Sequence, residues 1–160
     1  MITQTELKDI ATYDPETGIF QARVARGNIK VGDILGSVVK SGYVQISIDR
    51  VKYQAHNLAR LYMTGEYGVL TDHIDRNPSN NRWDNLRSAT QLENMWNRGV
   101  NKNSQTGIKG VHPHGDKFKV QFRAFGKKVY LGLFTTLEEA KVHHDDFVEL
   151  FQGEFFCKTG

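Results

Sequence analysis

The sequence predicts an α+β protein made of two small modules in series. Three observations carry that reading. Short alternating segments punctuated by turn residues fill positions 1 to about 54. A helical spacing interrupts them from Ala55. Beyond residue 107, alternating runs are followed by a capped, amphipathic stretch. An apolar share of 39% over 160 residues fits two small cores better than one large one.

In the first region the turns fall at Asp14-Pro15-Glu16-Thr17-Gly18, Ser41-Gly42 and Asp49-Arg50. Tyr43 to Ile48 alternates cleanly and reads as a strand. Leu58, Leu61 and Tyr62 then make an apolar stripe on a helix that Gly65 ends. Thr90-Gln91-Leu92-Glu93 is a capping box, so a further helix should begin near Gln91. The stretch 101–107 is polar and has no period, and it reads as a linker between residues 1–100 and 108–160.

In the second region Phe118, Val120 and Phe122 alternate with Lys119, Gln121 and Arg123. Val129, Leu131 and Leu133 alternate with Lys128, Tyr130 and Gly132. Gly115-Asp116 and Gly126-Lys127 supply turns. Thr136 and Glu139 form a capping box for a helix whose apolar positions are Leu137, Ala140, His144, Phe147, Val148 and Phe151. The expectation is a three-stranded antiparallel sheet packed on one helix.

Formal charge is +3 and the isoelectric point is near 9.0, so partners must be argued from where charges sit. Residues 104–134 hold six Lys or Arg and one acid, whereas 135–160 hold six acids and two Lys. A basic sheet face and an acidic helix suit a module whose sheet meets a polyanion. Cys157 is the only cysteine, which excludes an internal disulfide and a cysteine-paired zinc site. No apolar run reaches the length of a membrane span and the start does not resemble a signal peptide, so a cytoplasmic protein is expected.

The chemistry-bearing segment is Asp72-His73, the asparagine-rich stretch Asn80 to Arg87, and Glu93-Asn94. An acid beside a histidine, with amides near, could hold one divalent cation against a phosphate and activate one water. A lone Asp-His pair more often marks a surface turn, but the complete set is harder to dismiss. It resembles the core of HNH endonucleases over about residues 53–98, with the motif itself in 67–98. The branch it resembles is common in phage and intron-encoded enzymes, and its pattern runs roughly D-H-x-D-x-N-x-x-N-N-x-x-x-N-L-R.

That resemblance implies a ββα-metal nuclease module that hydrolyses DNA phosphodiester bonds. By it, His73 and Asn85 are catalytic, His73 as general base and Asn85 tying the loop and orienting the histidine. Asp72 and Asn94 are metal ligands, for Mg²⁺ first and Mn²⁺ as the alternative, and Arg87 and Arg98 contact phosphate. Asp75 reads equally as a second ligand or a loop cap. His56 reads as structural rather than as a DNA contact, and Asn57 stands where related sequences often carry arginine.

The second module resembles the APETALA2-type DNA-binding domain, through Lys109-Gly110-Val111, Phe118 to Arg123, Tyr130 to Phe134 and Glu138-Glu139-Ala140. The family's outward strand positions fall on Lys109, His112, His114, Gln121, Arg123, Lys128 and Tyr130. Lys119 joins them by its alternation. Plant members usually carry arginines in the first strand, where this chain has Lys109, His112 and His114. Together the resemblances imply a homing or phage-borne endonuclease guided to double-stranded DNA by its C-terminal domain. Such an enzyme would act as a monomer without an obligate protein partner, in a bacterial cytoplasm if phage-encoded. The alternatives are a DNA-binding regulator with a vestigial nuclease module and, more weakly, a restriction-type nuclease.

Overall fold

The computed structural model describes residues 1–124 and 127–152; the expected Gly126 turn and Cys157 lie outside them. Contacts divide the chain into two units, Met1–Gln91 and the remainder from Leu92 on. The mixed α+β class is as the sequence predicts.

The first unit opens on a helix where strands were expected, α1 (Gln4–Ile10). Thr3 and Glu6 close a capping box: the Glu6 amide donates to Thr3 Oγ1 at 3.3 Å, and the Thr3 amide donates to Glu6 Oε2 at 2.8 Å. Two three-stranded antiparallel sheets follow. One comprises β1 (Ala11–Asp14), β2 (Ile19–Ala22) and β3 (Ile34–Leu35). The other comprises β4 (Ser37–Val38), β5 (Val44–Ile48) and β6 (Val51–Gln54). Asp49 and Arg50, with φ of 49° and 67°, make the tight turn between β5 and β6, whose twist suits a two-residue hairpin loop.

Helix α2 (Ala55–Thr64) lays Leu58, Ala59 and Leu61 into a core with Leu7, Phe20, Ile46 and Tyr53. Gly65 ends it in the left-handed region at φ 78°. Leu58 is fully buried, so truncating it to alanine should cost ~2–5 kcal/mol. That core carries the two-stranded sheet of β7 (Thr71–His73) and β8 (Leu86–Ser88), in which Asp72 lies opposite Arg87 and His73 opposite Leu86.

The second unit holds most of helix α3 (Gln91–Asn97) and a sheet of β9 (Val111–His114), β10 (Lys117–Ala124) and β11 (Lys127–Phe134). Helix α4 (Leu137–Gln152) packs on that sheet, and its Thr136–Glu139 capping box forms as expected. Ile108, Val111, Val120, Phe122, Ala140 and Val148 are among the buried residues of this unit, as is His144 on α4.

One face assignment is corrected. Val120 pairs with Gly132 but Gln121 pairs with Tyr130, so Leu131 is an extra residue in β11. The bulge reverses the alternation beyond it. Leu133 therefore lies opposite Lys119 on the open face and is 42% exposed, while Phe134 takes the place against the helix side.

The unit boundary also falls earlier than the linker at 101–107. Lys109 explains why: its Nζ donates to the carbonyls of Met95, Trp96 and Arg98 at 3.0, 2.6 and 2.7 Å. Trp96 Nε1 donates to the Arg123 carbonyl at 3.3 Å, so α3 is fastened to the C-terminal sheet.

Candidate active site and nucleic-acid interface

Asp72 and His73 are adjacent on β7, a strand covered on both faces, and both are buried. The segment joining β7 to β8 folds through short-range amide and carboxylate bonds. The Asp75 amide donates to Asn85 Oδ1 at 3.0 Å, and Asn85 Nδ2 donates to Asp75 Oδ1 at 2.9 Å and to the Asn80 carbonyl at 2.8 Å. Asn80 Nδ2 donates to Asp75 Oδ2 at 2.7 Å. Burial would raise the Asp75 carboxyl, but these bonds and one from the Asn77 amide hold it below its ordinary range. Asp75 is thus the hub of the loop.

Asn85 ties the loop, yet the amide that reaches the histidine is that of Asn81. Its Oδ1 stands 3.3 Å from His73 Nε2. The loop holding Asn81 rests on the first hairpin: Tyr13 Oη donates to the Asn81 carbonyl at 2.6 Å, and the Trp83 amide donates to the Pro15 carbonyl at 2.9 Å. Gly18 permits this approach. A Cβ there would lie 2.4 Å from the Asn81 carbonyl carbon, and its φ of 73° is left-handed.

Arg87, expected at a phosphate, is placed elsewhere. Its Nε and Nη2 both donate to Asp72 Oδ2, at 3.1 and 3.0 Å, in an ion pair whose side chains are 11% and 6% exposed. Arg87 is therefore the internal counter-charge that orients Asp72.

His73 has a second aromatic shell. The His56 ring centroid is 5.0 Å away at 79°, and Tyr43 lies 5.4 Å from His56 and 6.0 Å from His73. Burial pushes the His73 imidazole below its ordinary pKa of 6.5, against the pull of Asn81, Asp75 and Asp72. Burial and then the neighbouring His73 push His56 down to about 4. Both rings are neutral at neutral pH. With Asn81 Oδ1 as acceptor, Nε2 of His73 carries the proton and Nδ1 holds the lone pair.

The donor set suits a hard divalent cation, since Asp72 offers a fixed, buried carboxylate. No three His, Cys, Asp or Glu gather as a metal cage among the described residues. A cation here would rest on few protein oxygens and complete its shell with water and phosphate oxygens, as Mg²⁺ does.

Asn94 lies on α3, in the second unit. Arg98 is exposed just beyond it, while Lys109 spends its ammonium on the end of α3 rather than offering it outward. The open sheet face carries the other sequence-derived candidates. His112 pairs with Lys119, His114 with Lys117, Gln121 with Tyr130, and Arg123 with Lys128. His112, His114, Arg123, Lys128 and Tyr130 are exposed, and Lys119 and Gln121 are half-buried. Sequence reasoning gave no role to Asn81, and it missed the pairing of Arg87 with Asp72. The asparagine cluster was a visible signal, but which amide meets His73 depends on a loop path set by Gly18.

Residues 53–96 match the family model for HNH endonucleases, so the chain contains an HNH endonuclease domain. Over 119 residues the chain is 31% identical to an uncharacterized HNH endonuclease of Acanthamoeba polyphaga mimivirus, covering 72% of this chain and 62% of that one. It is 48% identical over 44 residues to protein 3.8 of Escherichia phage T7, covering 28% of this chain and 36% of that one. Among solved structures it is similar to the HNH homing endonuclease I-HmuI, described for DNA binding and cleavage. That match has 30% identity and a TM-score of 0.43, over 54% of this chain and 49% of that one. The chain thus spans less than two thirds of the length of each of these relatives.

Proposed function

We propose that this protein is a metal-dependent DNA endonuclease of the homing or phage-borne kind. The observation that carries the reading is a neutral, buried His73, oriented by Asn81 and set beside a carboxylate that Arg87 holds in place. His73 Nδ1 takes the proton of the water that attacks phosphorus. Loss of such a base typically costs ~10²–10⁴ in rate. Asn81 keeps that lone pair on Nδ1, and Asn85 holds the backbone around it by fixing Asp75.

Asp72 and Asn94 would hold the divalent ion, with Asn94 assigned from the sequence pattern. Bound there, Mg²⁺ would neutralise charge building on the phosphate. The C-terminal sheet acts as the DNA-locating element, in the manner of an APETALA2-type domain. Gln121 and Arg123 have the geometry to read adenine and guanine edges, and Lys119 and Lys128 meet phosphates, joined by His112, His114 and Tyr130. Arg98 adds a phosphate contact. One Asp-His set per chain implies a monomer that nicks one strand first.

The test is calorimetric titration of Mg²⁺ and Mn²⁺ into the DNA complex of the wild type, Asp72→Ala and Asn94→Ala. Both substitutions should weaken metal binding. Unaltered affinity in both would remove this ligand pair.

A further inference from the structure

We infer that His56 is a positioning residue for His73, whose ring it holds in the single orientation the reaction needs. The inference deepens the endonuclease reading and rests on it. His56 is the second residue of α2, between the buried Ala55 and the buried Leu58, and is itself 8% exposed. Its Nδ1 has no hydrogen-bond partner among the described residues. A desolvated, unpaired nitrogen costs ~1–3 kcal/mol, and buried polar groups in folded proteins almost always find partners. Phenylalanine would fill this place without that cost.

What the imidazole touches explains its presence. His56, Tyr43 and His73 form a triangle of rings with centroids 5.4, 5.0 and 6.0 Å apart. The contact between the two histidines is edge-to-face at 79°. Both kinds of ring have an electropositive C–H edge, but an imidazole edge also carries an N–H and a nitrogen lone pair that a phenyl edge lacks, so this contact distinguishes between rotations of the partner ring. Asn81 fixes His73 at Nε2, while His56 and Tyr43 restrict how the ring can turn about that bond. A base displaced by ~1 Å can lose ~10² in rate, which is the scale of effect available to such a buttress.

The test uses the full chain with His56→Phe, which keeps the ring volume and removes both nitrogens. Melting temperature at pH 7 should stay level or rise, because the unpaired nitrogen is gone. The Michaelis constant for plasmid and the Mg²⁺ dependence should hold, while kcat falls ~10–100-fold. Proton NOE spectra of the His73 ring should show one ring orientation in the wild type and a mixture in the variant, while long-range ¹⁵N spectra keep the tautomer that Asn81 sets in both. Should His56→Phe fail to fold, His56→Leu takes the same measurements.

Full kcat with unchanged His73 signals would make His56 mere packing and overturn the inference. A raised Michaelis constant at constant kcat would make it a DNA contact and overturn it equally. The ring spectra need no turnover. A wild type that nicks no DNA would therefore sink the endonuclease reading, while the spectra still decide whether His56 positions His73.

Discussion

Replacing His56 with phenylalanine should flatten the acid side of the stability curve. His56 is pushed from its ordinary pKa of 6.5 to about 4 by burial, with His73 adding to the effect. Across that interval the folded protein binds fewer protons than the unfolded chain, so acid favours unfolding. The contribution is complete above pH 6.5 and drains away as pH falls toward 4. At ~1.4 kcal/mol per pH unit the whole interval amounts to roughly 3 kcal/mol. For a unit of this size that corresponds to about 10–20 °C of melting temperature. Depressed carboxylates such as Asp14 and Asp75 act mainly below the ordinary carboxylate value of 3.8, and they are common to both proteins. His73 titrates in the same direction in both. The difference between the proteins therefore reports His56 together with its coupling to His73. Scanning calorimetry from pH 7 to pH 4 should show the wild type losing roughly 3 kcal/mol more than His56→Phe. Parallel curves would refute the reasoning, because they would mean His56 is hydrated or paired in the fold.

Three further outcomes follow from the same geometry. Arg87→Ala leaves a buried carboxylate without its counter-charge and should cost ~3–5 kcal/mol in urea unfolding; a loss under ~1 kcal/mol would contradict the pairing. Asn81→Leu removes the acceptor at Nε2 and should lower the nicking rate ~10–100-fold at constant DNA affinity, read in single-turnover assays; an unchanged rate would free His73 from that bond. Lys128→Ala should reduce the slope of log affinity against log salt by about 0.9, whereas Lys109→Met should leave that slope alone and destabilise α3. A loss of slope in Lys109→Met would restore Lys109 as a phosphate contact.

Much of this architecture is legible in the chain because local signals and tertiary packing agree. Gly65 ends α2, and Thr136 with Glu139 starts α4, where their residue types predict. Helix α1 carries the same signature at Thr3 and Glu6, but over seven residues its apolar period is too short to outvote the strand-like surroundings. The bulge at Leu131 is hidden because an inserted residue disturbs alternation without breaking it, and Gly132 at φ 142° is its one visible mark. In the site, the adjacency of Asp72 and His73 is written in the sequence, but their partners are not. Asn81 reaches His73 because Gly18 lets the loop lie close, and Arg87 reaches Asp72 because strand register sets them opposite. Register and loop path are long-range properties. Lys109 shows the converse: its charge is plain in the sequence, but three carbonyls at the end of α3 consume it.

The central claim is that His73 is the base of a metal-dependent nuclease. The most direct test is the single-turnover nicking rate of supercoiled plasmid by the full chain, with Mg²⁺ and with chelator, for the wild type and for His73→Ala. The account predicts nicked circles from the wild type in Mg²⁺ and none with chelator. It also predicts a rate lower by ~10²–10⁴ in His73→Ala, with DNA affinity unchanged by anisotropy. Plasmid left intact by the wild type in Mg²⁺, or nicked equally well by His73→Ala, would contradict it.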